Sequence, residues 1–524
     1  MATRTVSNTG GNWNATATWV GGVVPNSGDT VNFTATSGNL TVNVTSTCAG
    51  IDFTNYLNTI TFTFDLFVQG PINLGTGGYT QAGTSGLLVN SNAGGTGFTS
   101  NGVIWSRKFT FSGGGTAAIY ILNDDWNFTG TLLFTNTNTC TINGFNIYTN
   151  GLSSTSNQPT TGTTNIIFNG TGTWSHSAAG AIRNNVTINT AGTLTIGTNI
   201  YYNTGTLTYT AGTVITTGST LNIAASTTLN TSGIIWDIIR TNNAITLTLL
   251  SNLNTTNLYL NNVLSFTLNG NNLSISGTLI LGYTTGATTF NTPQNLQVTN
   301  LLLGNGFASN QTLNGLFTIS VSGNLTQNQG VGTSSGTTSI LLNGTGTWSN
   351  ASTGALQNNL TINTAGTITI SGNLYYNTGT LTYLSGKVIT KNSTFNLTNT
   401  TTLINCHKIN FDKVVITSGV TITMNEFFSG SAVLKTTISA SSTTNYTITF
   451  QDGFEKIAKF VNISRATFTN KNQLLLITDS KKSSTNSGIR YINSSPNGVS
   501  KGEPSIQNTL TAGLGTFLVN DPNT

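Results

Sequence analysis

Residues 169–223 read NGTGTWSHSAAGAIRNNVTINTAGTLTIGTNIYYNTGTLTYTAGTVITTGSTLNI, and residues 343–397 read NGTGTWSNASTGALQNNLTINTAGTITISGNLYYNTGTLTYLSGKVITKNSTFNL. Extended slightly to 162–223 and 336–397, the two stretches are identical at 41 of 62 positions, at an offset of 174 residues. Eight of the differences exchange one apolar residue for another, such as Val186 for Leu360 and Leu194 for Ile368. Nearly all the rest involve small or polar residues. A duplicated unit that holds its apolar positions while its polar ones drift is constrained by core packing, not by a shared catalytic constellation.

Within the unit, apolar-x-apolar triplets recur about every seven residues: Val186/Ile188, Leu194/Ile196, Ile200/Tyr202, Leu207/Tyr209 and Leu221/Ile223, with Val214 between the last two. Period-two triplets are strands with one buried face. The intervening NTAG, GTN, NTG and TAG are short, and rich in residues that tolerate positive φ at a corner. Three such strands and three corners make a perimeter of about 21 residues, one coil of a three-sided solenoid. The fold class expected is therefore all-β: an elongated right-handed parallel β-solenoid with internal repeats, plus a smaller C-terminal β-rich domain. Coils stacked about 4.8 Å apart would make a 174-residue unit of eight coils roughly 40 Å long. A string of β-sandwiches is the competing architecture, but it favours wider strand spacing. The inward positions expected to hold each copy are Trp174, Val186 and Tyr202, and their counterparts Trp348, Leu360 and Tyr376.

Composition agrees with a ladder-built body. Only 6% of the 524 residues are charged, against about 25% in an average globular protein. Aromatics at 9%, with abundant Thr, Val and Ile, argue against disorder. Between residues 126 and 404 the only acid is Asp237, and the only bases are Arg183, Arg240, Lys387 and Lys391. Charge thickens from Cys406 onward, and the net value is +5. No basic block interleaved with aromatics marks a nucleic-acid groove, and Lys481-Lys482 reads as a solvated loop. No apolar run of about 18 residues marks a membrane span. Cys48, Cys140 and Cys406 are odd in number and widely spaced, so they read as small core fillers. With His176 and His407 the only histidines, no metal centre or cofactor is expected.

The organisation expected is a cap segment at 1–48, a solenoid body at 49–404 and a C-terminal docking or recognition domain at 405–524. Large aromatics follow apolar pairs or near-pairs in Gly102-Val103-Ile104-Trp105, Gly233-Ile234-Ile235-Trp236-Asp237 and Lys408-Ile409-Asn410-Phe411-Asp412. They are expected to fill widened coils rather than to stack on a ligand. Near the start, Gly11-Asn12-Trp13 is followed by Trp19, Gly21-Gly22, Pro25 and Gly28-Asp29. Two Trp can cover the open end of a stacked core, and Pro25 with Gly28-Asp29 can turn the chain into the first strand, TVNFTA.

That segment resembles the W-x-G-G-x-x-P-x-x-G-D-x-V segment at the start of β-helical regions in autotransporter-like adhesins and phage structural proteins. The Thr/Asn/Gly-rich β body is similar to that of phage tail fibres and other virion surface proteins. The resemblance implies a virion location, homotrimerisation and contact with other virion proteins. MATRTVSNTGGNW has no apolar core after Arg4, so no secretory signal is read there, and if Met1 is the natural start, release by lysis inside a particle is one way out of the cell.

Chemistry is sparse. The acids before residue 405 are Asp29, Asp52, Asp65, Asp124, Asp125 and Asp237, and Asp124-Asp125 in NDDWN is the only close pair. Adjacent strand residues face opposite ways, so the pair reads as an exposed corner rather than a glycosidase dyad. Asp452, Glu455, Asp479 and Glu503 form no recognisable catalytic arrangement. NGTGTW lacks the Lys-Ser/Thr of a phosphate loop. No catalytic residue is assigned. The function expected is a non-enzymatic virion structural protein, such as a phage fibre, spike or capsid-surface protein. It would act as a rigid spacer and in host-surface attachment, with a host-surface glycan as a candidate partner. The rivals are a bacterial cell-surface adhesin and a polysaccharide-depolymerising tailspike.

Overall fold

The structure, a computed structural model, describes residues 2–492 except 91–95, 113–117, 136–137, 157–158, 284–286, 305–309, 329–333, 351–352, 391, 429–435, 452–455, 460, 469–473, 478–480 and 483–488. The chain is 56% strand and 1% helix, wound as a parallel β-solenoid of about 19 turns. It divides into two compact units, Met1–Val298 and Thr299–Thr524.

One inward row shows how the first unit is built. Trp126 pairs with Ile147, Ile147 with Ile166, Ile166 with Val186, Val186 with Leu207, Leu207 with Leu229, and Leu229 with Leu249. The steps are 19 to 22 residues, one coil each. All seven side chains are buried. The second unit repeats the device with Ile319, Ile340, Leu360, Leu381, Leu403, Met424 and Phe450. This row passes residue 405 without a break. Thr30 pairs with Gly50 in the first unit, so a ladder also crosses residue 48.

Asparagine is abundant because the ladder must survive at corners, where strand carbonyls turn away. There the amide oxygen of an Asn accepts the backbone N–H of the next coil. Asn185 takes Thr206 N at 2.9 Å, Asn359 takes Thr380 N at 2.9 Å, and Asn39 takes Thr59 N at 2.9 Å. Each bond joins residues about one coil apart. These corners lie at the surface, so each such bond contributes about 0.5–1.5 kcal/mol at most.

Two details depart from the seven-residue rhythm. NTAG (189–192) and TAG (210–212) do not interrupt the ladder, although the arms on either side of NTAG lie on two separate strands of the coil beneath, Ile166–Phe168 and Gly172–His176. Val186–Ile196 and Thr206–Ile215 are continuous strands, with register shifts around Asn189. The same happens in Leu360–Ser371 and Thr380–Ile389. The next coil pairs only with Thr206–Thr208, or Thr380–Thr382, so the far arm of this strand is stepped over. Tyr209 and Val214 are consequently half-exposed, not core residues. Tyr209 lays its hydroxyl on Gly212 O at 2.7 Å, and Tyr383 does likewise on Gly386 O, so a side chain occupies the stepped-over arm.

Coil spacing also fixes certain glycines. A Cβ on Gly172 would lie 2.0 Å from Asn150 O, and one on Gly346 would lie 1.9 Å from Gly323 O. Neither backbone is left-handed, so the conflict is with the coil beneath. We expect Gly172→Ala and Gly346→Ala each to destabilise by about 1–3 kcal/mol, measured by urea denaturation. Parent-like stability would mean that the coils part freely at this corner.

Candidate functional site

At the N-terminus, Thr16–Thr18 is a single turn between two buried indoles. Trp13 and Trp19 meet edge-on at 5.0 Å, and Trp19 Nε1 donates to Trp13 O at 2.8 Å. Gly21 and Gly22 are exposed at φ +81° and +65°, and Pro25 is buried. Asn26 Oδ1 accepts Gly28 N at 2.8 Å, and Thr30–Asn32 then pairs with Thr3–Thr5. Asp29 accepts from Arg4 Nε at 3.0 Å and Ala2 N at 3.2 Å, tying the first residues to the stack. The Arg4 hydrogen bond is the chief cause holding the Asp29 carboxyl below its usual range.

The acids are spent on similar clamps. Asp124 accepts the N–H of Ser100 at 2.7 Å and of Asn101 at 2.5 Å, while Asp125 accepts that of Asn146 at 2.9 Å. Asp65 holds Lys108 Nζ at 2.6 Å, and Asp52 accepts Thr54 N at 2.9 Å. Asp237 binds Gly218 N at 2.6 Å and Asp412 binds Asn392 N at 2.5 Å, the same corner in the two copies. In both, the hydroxyl of Thr216 or Thr390 closes onto Ile235 O or Asn410 O. The aromatics beside these corners, Trp105, Trp236 and Phe411, are fully buried. Glu426, the remaining described acid, pairs with Lys456 at 3.3 Å. Asp452, Glu455, Asp479 and Glu503 lie outside the described residues. Among the described residues no three His, Cys, Asp or Glu gather, and no helix is long and apolar enough to cross a membrane. The three cysteines are buried, and burial pushes the Cys48 and Cys406 thiols up to about 12.

Inside the duplicated unit, Trp174 stacks between Leu152 and Ile196, and Trp348 between Leu325 and Ile370. Tyr202 donates to Asn184 O at 3.2 Å and Tyr376 to Asn358 O at 2.9 Å. Those asparagines are fully buried and donate to Thr164 O and Thr338 O, each at 3.1 Å. Tyr56 makes the same 18-residue reach to Gly38 O at 3.0 Å, outside the duplicated stretches. Asn184 and Asn358 were hidden in the sequence by the many surface asparagines. Their identity in both copies, one residue before a strand corner, was the available signal.

The outer faces carry two kinds of row. Thr206, Thr228, Thr248 and Thr267 stand on successive coils, and so do Thr380, Thr402, Thr423 and Thr449. These hydroxyl rows start at equivalent residues and continue where sequence similarity between the copies has ended. A different row runs Tyr201, Asn222, Arg240, Tyr259. The Arg240 guanidinium lies 4.6 Å from the Tyr283 ring centre, and its Nη2 donates to Tyr283 Oη at 3.3 Å. Tyr283 is stacked on Tyr259 at 4.9 Å and 17°. All three side chains are half-buried. Burial first, then Tyr283, raises the Tyr259 hydroxyl pKa, so it remains a donor.

Comparison with protein-family models, curated proteins and solved structures finds no match. The fold defines the chain as a repetitive parallel β-solenoid whose described acids bond to its own backbone or to its own basic side chains.

Proposed function

We propose that this chain is a non-enzymatic virion structural protein, a phage fibre, spike or capsid-surface component serving as spacer and in host-surface attachment. The observation that carries this reading is the duplication: both copies keep the inward rows, the corner clamps and the outward threonine row, and none of these is a reactive cluster. Parallel ladders resist bending because every coil is bonded to its neighbours. A row of hydroxyls one coil apart suits many weak hydrogen bonds to sugars or to a neighbouring subunit. Trimerisation and contact with other virion proteins rest on the resemblance of the N-terminal motif and body to phage fibres.

Antibodies against the chain should decorate purified particles, and incubation with capsular polysaccharide or lipopolysaccharide should release no new reducing or unsaturated ends. Labelling confined to intact bacterial surfaces would instead favour the adhesin. Released ends would identify a depolymerase.

A further inference from the structure

We infer that Arg240, Tyr259 and Tyr283 form a subsite for a carboxylate-bearing sugar of a surface glycan, which rests on the attachment role proposed above. The internal duplication supplies the control. The outward row that runs Tyr201, Asn222, Arg240, Tyr259 in the first unit runs Tyr375, Asn396, Val415, Ser439 in the second. The first two positions are identical and the inward neighbours stay apolar, Ile239 against Val414. Along this row the outer chemistry changes from aliphatic and hydroxyl to guanidinium and phenol, while two residues back Ile238 of the first copy answers to an exposed Lys413 in the second.

Arg240 is one of four basic residues between 126 and 404. It has no ion pair among the described residues, and its buried Nε has no acceptor. Asp237 is three residues away; its Oδ2 accepts Gly218 N, and its charge still acts on Tyr259, so the Arg240 guanidinium has to outweigh it for an acid to bind. With Nε sealed inside, the donors left for a ligand are those of the two Nη groups, of which Nη2 already gives one bond to Tyr283, and a pair of Nη donors matches a carboxylate. Stacked phenols beside it offer an apolar surface for the C–H face of a pyranose and hydroxyls for its ring substituents. Guanidinium next to aromatic surface therefore selects a uronic-type sugar over a neutral one.

The test measures binding of the full chain to oligogalacturonate, to its methyl ester and to a neutral oligoglucan by titration calorimetry. The acid should bind at least tenfold more tightly than the ester. Arg240→Gln should lose that tenfold for the acid and leave the ester unchanged, and Tyr259→Ala should weaken both. Arg183→Gln should match the parent. A merely structural role for Arg240 would lower the melting temperature without changing the acid-to-ester ratio, and Arg240→Lys, which keeps the charge, checks that folding is intact. Equal binding of acid and ester, or parent-like acid binding by Arg240→Gln, overturns the subsite. Adsorption to a panel of bacterial envelope preparations separates the two ideas. If parent and Arg240→Gln adsorb alike, the subsite fails and attachment stands. If the parent adsorbs to none, the attachment role fails.

Discussion

Trp348→Ala should destabilise the second unit by about 3–5 kcal/mol, the range for removing a large buried aromatic from a core that collapses only partly. The indole is wholly buried, with Leu325 beneath it and Ile370 above. It meets Tyr376 and Phe395 edge-on at 6.5 and 6.2 Å. The coils are held at ladder spacing by backbone bonds, so they cannot close over the hole. A polar penalty adds to the cavity: Trp348 Nε1 donates to Gln327 Oε1 at 3.1 Å, and Gln327 is fully buried. Trp348→Phe keeps much of the packing but orphans the same oxygen, so it should cost less than alanine and more than a simple volume change. Urea denaturation followed by circular dichroism gives the magnitude, and hydrogen exchange gives the place. Because each coil touches only its neighbours, protection should fall in the ladders around 325–411. A loss below about 1 kcal/mol would contradict the idea that these inward rows hold the unit.

The period-two triplets carried the fold because inward residues in a solenoid are set by simple parity. Val186, Ile188, Leu194, Ile196, Ile200, Tyr202, Leu207, Leu221 and Ile223 are all buried. Parity fails at Tyr209 and Val214 because it cannot say whether the next coil follows the chain across TAG (210–212) or steps over the far arm. Gly and Asn permit either, and the choice depends on which coil lies above. Trp13, Trp19, Pro25 and Asp29 stood out for a different reason, as rare types in a Thr/Asn/Gly background. Arg240, Tyr259 and Tyr283 were not found. They come together only once the coil lengths of 19 and 21 residues are known, and those lengths follow from corners that the sequence leaves open. Asp237 and Asp412 were visible beside their aromatics. Their role as clamps on the previous coil needed the same register.

Acidification should weaken the first unit through His176, a group the second copy lacks at that position, while the second unit responds through His407, which burial also holds below its usual range. His176 sits where the second copy has Asn350, and it is 7% exposed. Trp174 Nε1 donates to its Nε2 at 3.1 Å, which requires an unprotonated nitrogen there. Burial pushes its pKa down from 6.5 to about 4, opposed in part by a backbone contact at Gly180. The sign follows from where each state takes up the proton. Above pH 6.5 both folded and unfolded chains hold a neutral imidazole, and the full stability is present. Between 6.5 and about 4 only the unfolded chain is protonated, so stability falls as pH falls and then levels off. The total is about 3 kcal/mol at 1.36 kcal/mol per unit. The second copy shows how to remove the effect: Trp348 donates instead to Gln327, which stands one coil back at the position of Ser154. The paired change Ser154→Gln with His176→Asn therefore supplies the indole with a new acceptor while trading volume between neighbours. Urea midpoints of parent and paired variant at pH 7.5 and 4.5 make the comparison, since carboxylates shared by both cancel. The parent should lose about 2.5 kcal/mol more than the variant over that interval, most of the total, and identical pH slopes would show that His176 is not the group responsible.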